Sequence, residues 1–89
     1  MKVSNQFILR TIADEYLLIP TGEAAMNVKG LISLSESGHL LYEKLKNECS
    51  KEDLVQVLKN EYEVDESTAV QDVEMFLQQM RQLKMLEEE

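Results

Sequence analysis

The residues able to do chemistry in this chain are few, and their spacing keeps them apart. His39 is the single histidine and Cys49 the single cysteine, so a Cys/His or Ser/His/Asp arrangement needs His39 beside a nucleophile that no motif singles out. One cysteine forms no internal disulfide, and no His or further Cys stands at metal-ligand spacing from it, so neither an oxidised scaffold nor a zinc site is expected. Cys49 reads as a thiol at a helix junction and His39 as a surface or half-buried side chain. The glycines, Gly22, Gly30 and Gly38, make no phosphate-cradling loop. Carboxylates are plentiful, but Glu61, Glu63, Asp65 and Glu66 surround a helix junction and Glu87-Glu88-Glu89 is an acidic run. Both read as solvated segments rather than as a paired acid and base. No catalytic residue, metal or cofactor is expected, and the chain reads as a non-enzyme.

What remains is binding, and the elements that would position it centre on Gly30 to Gly38. Leu31 and Ser33 alternate against Ile32 and Leu34, the pattern of a strand with one buried face, and Ser35-Glu36-Ser37-Gly38 then opens a helix. Such a strand offers an edge for pairing without chemistry. Upstream, Phe7 to Ala13 and Tyr16 to Pro20 are rich in β-branched and large apolar residues and predict a hairpin around an acidic turn at Asp14-Glu15. Pro20 and Thr21-Gly22 end its second strand, and a looser segment, Glu23 to Lys29, leads to the third.

From Ser35 the apolar period changes to that of a helix. Leu40, Leu41 and Leu45 mark a first helix with Ser35 as N-cap, and Gly38 in its first turn implies close backbone packing. Ser50 and Asp53 set a capping box before a second helix carrying Leu54, Val55, Val57, Leu58 and Tyr62. Asp65 caps a third, where Ala69, Val73, Phe76, Met80 and Leu83 form the packing stripe and Val70, Leu77 and Arg81 run beside it. That second row is either more core or the wall of a groove. Met75 and Met80 could lend an adaptable binding surface, with core filling the stronger reading for Met80. Three strands followed by three helices predict one α+β domain over residues 1–89, a winged-helix-like fold with a three-stranded antiparallel sheet.

Composition narrows the partners. At 89 residues and 44% apolar content, the chain supports one modest core, and no apolar run is long enough for a bilayer or a signal peptide, so cytoplasmic residence is expected. Seventeen acidic against nine basic residues give a net charge of −8. That field repels phosphate backbones and anionic lipid, so neither nucleic acid nor a membrane is an expected partner. A DNA-binding or regulatory winged helix stays open as an alternative. The helix it would use brings Asp72, Glu74, Gln78, Gln79, Arg81, Gln82 and Lys84 on an acidic protein, a poor basic footprint. A homodimeric interaction module pairing through an exposed strand edge is a further alternative.

The runs EYLLIPTGEAAMNVKGLISLSESG and LVQVLKNEYEVDESTAVQDVEMFLQQMRQLKMLE resemble the PqqD-like family, named for pyrroloquinoline quinone synthesis protein D and including small stand-alone members. The likeness covers about Phe7 to Leu86. It implies a stand-alone recognition element for ribosomally made, post-translationally modified peptides: a non-catalytic chaperone that binds the leader of a precursor and presents it to a modifying enzyme, often a radical S-adenosylmethionine enzyme. In the family the leader adds as a strand to the third strand and lies against the third helix. Carried onto this chain, that implies a peptide along Leu31, Ile32, Ser33 and Leu34, with Val70, Val73, Leu77 and Arg81 opposite. Arg81 and Lys84 then place positive charge at one end of the groove, suited to an acidic leader residue, while the overall negative field favours a basic peptide or a basic enzyme surface. Where relatives commonly have Leu-Asn-Glu-Thr-Gly, this chain has Leu34-Ser35-Glu36-Ser37-Gly38, in which both changed positions can still cap.

Overall fold

A computed structural model describes residues 1–27 and 30–88. The two alternating stretches form strands β2 (Phe7–Ile12) and β3 (Glu15–Pro20), paired antiparallel from Phe7↔Pro20 to Ile12↔Glu15. The hairpin turn is Ala13-Asp14, both with positive φ (51° and 67°), the left-handed pair whose twist suits a two-residue connection. It falls one residue earlier than expected, and Glu15 opens β3. Asp14 tolerates this backbone. Ala13 adopts it because the ladder on both sides fixes the register.

A short helix, α1 (Gly22–Asn27), replaces the looser segment expected from Glu23; Val28 and Lys29, at that segment's end, lie outside the described residues. Its start is organised from a distance by Gln6. The Gln6 carbonyl accepts from the Thr21 amide (2.7 Å) and hydroxyl (2.8 Å), while its side-chain oxygen accepts from the Ala24 amide (3.1 Å). Strand β4 (Ile32–Leu34) then joins β3 antiparallel, with Tyr16↔Leu34, Leu17↔Ser33 and Leu18↔Ile32, giving the order β2-β3-β4. It is shorter than the expected Gly30–Leu34. Gly30 bends with φ +87°, and Leu31 lies outside the ladder, 58% exposed.

Helices α2 (Glu36–Lys44), α3 (Lys51–Glu61) and α4 (Glu66–Gln82) start on the expected caps. Ser35 Oγ accepts from the Gly38 amide, Ser50 and Asp53 bond reciprocally as a capping box, and Asp65 Oδ1 accepts from the Thr68 amide. Glycine at position 38 has a packing reason. A Cβ there would come within 3.2 Å of Ser35 Oγ and 3.7 Å of the Phe76 ring, so α2 starts close against α4.

A two-stranded ribbon of β1 (Lys2–Val3) and β5 (Leu86–Glu87), not anticipated from the sequence, completes the fold. It follows a Schellman ending on α4. Lys84 takes φ +57° and donates its amide to Arg81 O, the Met85 amide returns to Met80 O, and Met85 is fully buried. The core gathers Phe7, Leu18 and Leu34 from the inner sheet face with Leu41 and Leu45 of the α2 region, Leu54 and Leu58 of α3, and Val73, Leu77 and Met80 of α4. No polar or charged residue is buried among the described residues.

Candidate functional site

β4 lies at the end of its sheet. β3 pairs with one of its edges, and among the described residues no strand pairs with the other. Its side chains alternate as expected: Leu34 is buried and Ile32 half-buried on the core side, while Ser33 is exposed. Beside the free edge runs a groove of about 270 Å³ between β4, the start of α2 and one face of α4. Leu34, Leu41 and Phe76 supply apolar surface to it. Ser33, Ser35 and Ser37 supply hydroxyls, with Ser35 Oγ and Ser37 Oγ 3.2 Å apart. The α4 wall is the row Asp72, Met75, Phe76 and Gln79, the i, i+3, i+4, i+7 spacing of one helix face. Met80 is in the core, whereas Met75 stands 65% exposed over the groove.

A second depression of about 370 Å³ continues past Ser35, Ser37 and Asp72 to Glu36, Leu58, Tyr62 and Val64. Asp72 therefore lines both halves. Tyr62 brings a hydroxyl that is buried and has no hydrogen-bond partner among the described residues. Burial pushes this phenol above its usual range, with the Glu36 and Glu61 carboxylates adding to the effect, so it stays a donor at neutral pH.

The expected site residues are divided by the fold. Ile32, Ser33 and Leu34 form β4, and Leu31 precedes it. On α4, Val73 (0% exposed) and Leu77 (2%) are core residues, so the row Val70, Val73, Leu77 and Arg81 is not the wall of the groove beside β4. Leu77 belongs to the packing stripe and Leu83 is only half-buried, the reverse of the expected order. Counted at about 100° per residue, Val70 and Arg81 flank one side of the buried stripe, and Phe76, Asp72 and Gln79 the other. Arg81 is bound bidentately by Glu88, with Nη2 2.9 Å from Oε1 and Nε 3.1 Å from Oε2. Lys84 shapes the end of α4 and lines a different depression, with Ser4, Gln6 and Glu87. No positive end of the β4 groove is formed by either residue. The sequence signal for the wall actually present was the 72/75/76/79 spacing, of which Met75 alone was read as an adaptable binding surface.

The chemically capable side chains stand apart. His39 stacks on Tyr16, ring centroids 3.9 Å apart and planes 12° from parallel, with Nε2 3.6 Å from Glu43 Oε1. Cys49 sits half-buried between α2 and α3, where burial, with Asp53 nearby, pushes its thiol up and away from the nucleophilic thiolate. No cluster of three His, Cys, Asp or Glu side chains suited to a metal occurs among the described residues, and no helix there is long and apolar enough to cross a membrane.

An antiparallel sheet with a free edge strand lying against a long helix defines a small α+β binding module. The chain belongs to the family of coenzyme PQQ synthesis protein D (PqqD), which it matches over residues 22–86. Among solved structures it is similar to TbiB1 in complex with the TbiA(beta) leader peptide, with 25% identity over all of this chain and 98% of that one and a TM-score of 0.79. It shares its fold with a lasso peptide synthetase B1 complexed with the leader peptide, at 18% identity over 94% of this chain and 93% of that one and a TM-score of 0.74. No curated protein matches the chain.

Proposed function

We propose that this protein, acting as one domain over residues 1–89, binds the leader of a ribosomally synthesised precursor peptide by strand addition to β4 and presents it to a modifying enzyme, performing no chemistry itself. The observation that carries this reading is the β4 edge, unpaired among the described residues, beside the α4 groove, in a family member whose fold matches a protein bound to a leader peptide. Main-chain hydrogen bonds along β4 supply affinity with little regard to peptide sequence, and alternate side chains entering the groove supply selectivity. The modifying enzyme, of the radical S-adenosylmethionine class in many systems of this family, supplies the reaction. A cytoplasmic site of action fits such a role.

In this reading Ile32, Ser33 and Leu34 provide the docking strand with Leu31 at its entrance, and Asp72, Met75, Phe76 and Gln79 face the peptide. Val73 and Leu77 support that wall from behind, while Val70, Arg81 and Lys84 lie off it. Duplex DNA is not favoured, because the described side chains lining the two halves of the groove include Asp72 and Glu36 and no cation.

Titration calorimetry with the leader of a precursor encoded beside this protein tests the proposal: the leader binds, and a scrambled version does not. Equal affinity for the two would sink it. Successive amides of β4 alternate between β3 and the free edge. Of the variants Ile32→Pro and Ser33→Pro, one therefore abolishes leader binding with the sheet retained, and the other damages the β3 ladder itself.

A further inference from the structure

Resting on the peptide-binding reading above, we infer that the groove selects a basic residue in its peptide and that Asp72 is the side chain that selects it. Asp72 lines both halves of the groove, with Ser35 and Ser37, and is the charged residue common to them. Other carboxylates of the helices are engaged, Glu74 with Lys51, Glu88 with Arg81, and Asp53 and Asp65 as helix caps, while Glu36 lines only the second half of the groove. The Asp72 side chain makes no hydrogen bond or ion pair among the described residues, and no lysine, arginine or histidine among them lines either half.

A strand laid along β4 covers Asp72 and removes part of its water. Left without a partner, the carboxylate then opposes binding; a peptide ammonium or guanidinium offsets that cost. The surroundings suit a long basic side chain, whose aliphatic stem lies on Met75 and Phe76 while its head reaches the carboxylate. An acidic peptide residue meets like charge at the same point, on a protein whose net charge of −8 already steers basic segments toward it. The apolar surfaces on either side, Leu34 and Phe76 in one half and Leu58 and Val64 in the other, place apolar peptide residues around the basic one.

The test is selection of a display library of short unstructured peptides on the full-length protein and on Asp72→Asn and Asp72→Lys variants, each checked for native circular dichroism. The unmodified protein enriches Lys or Arg at one position between apolar ones. Asp72→Asn keeps the apolar positions, loses the basic preference and binds the original peptides about fivefold to tenfold more weakly, while Asp72→Lys turns that position toward Asp or Glu. Enrichment of the same peptides by all three proteins overturns the role of Asp72 and leaves peptide binding standing. Failure to enrich any peptide removes both.

Discussion

The two flanks of α4 treat charge in opposite ways. On one flank Arg81 is clasped by Glu88, and past it the Lys84 backbone adopts the left-handed turn that ends the helix and sends Met85 into the core. On the other flank, beside β4, the Asp72 side chain faces a groove of hydroxyls and apolar side chains with no partner among the described residues. The same helix thus contains a closed, structural flank and an open one. Charge as counted in sequence does not say which is which; the pairing does.

Four changes would break or sharpen this contrast. Leu77→Asp buries a carboxylate in the core behind the groove and costs on the order of 4 kcal/mol or more, much of a small domain's stability, so urea denaturation finds it largely unfolded. Met75→Ser, at an exposed site over the groove, leaves the denaturation midpoint nearly unchanged and weakens peptide binding severalfold by calorimetry. Arg81→Gln lowers the melting temperature slightly and leaves peptide affinity as it was; a large affinity loss would return the binding row to the Arg81 flank.

The smallest effect is on acid stability. Asp53 and Asp65 are held below the ordinary 3.8, the first by hydrogen bonds from Ser50 and the second by bonds from Thr68. A carboxylate with a depressed folded value favours the folded state fully above the unfolded value, and this support is lost as pH falls through the folded one. Stability therefore declines below about pH 4. Asp65→Asn, which keeps an acceptor at the cap, makes that decline shallower when melting temperature is followed against pH.

How much of this was legible in the sequence follows from how local each signal is. The hairpin, β4 and all three long helices carry their own punctuation, namely period-two alternation before Ser35 and the caps Ser35, Ser50 and Asp65 after it. Helix α1 and the β1–β5 ribbon depend on partners far along the chain, Gln6 for one and Val3 against Leu86 for the other, so no local pattern marks them. The site shows the same division. β4 was legible because strand alternation is local. The α4 wall was not, because a helix with a broad apolar stripe has two flanks, and which of them lies beside β4 is settled by how α4 packs on α2 and the sheet. Gly38 carried a trace of that answer, since its missing side chain makes room for the Phe76 flank.

The β1–β5 ribbon joins parts of the chain that local sequence keeps separate. Val3 donates to Leu45 O at the end of α2, Ser4 donates to Met85 O at the end of α4, and Val3 lies opposite Leu86. Pulling β1 away releases the exits of two helices at once, so these segments form one unit of local opening, whose amides at Val3, Ser4 and Met85 exchange with solvent together.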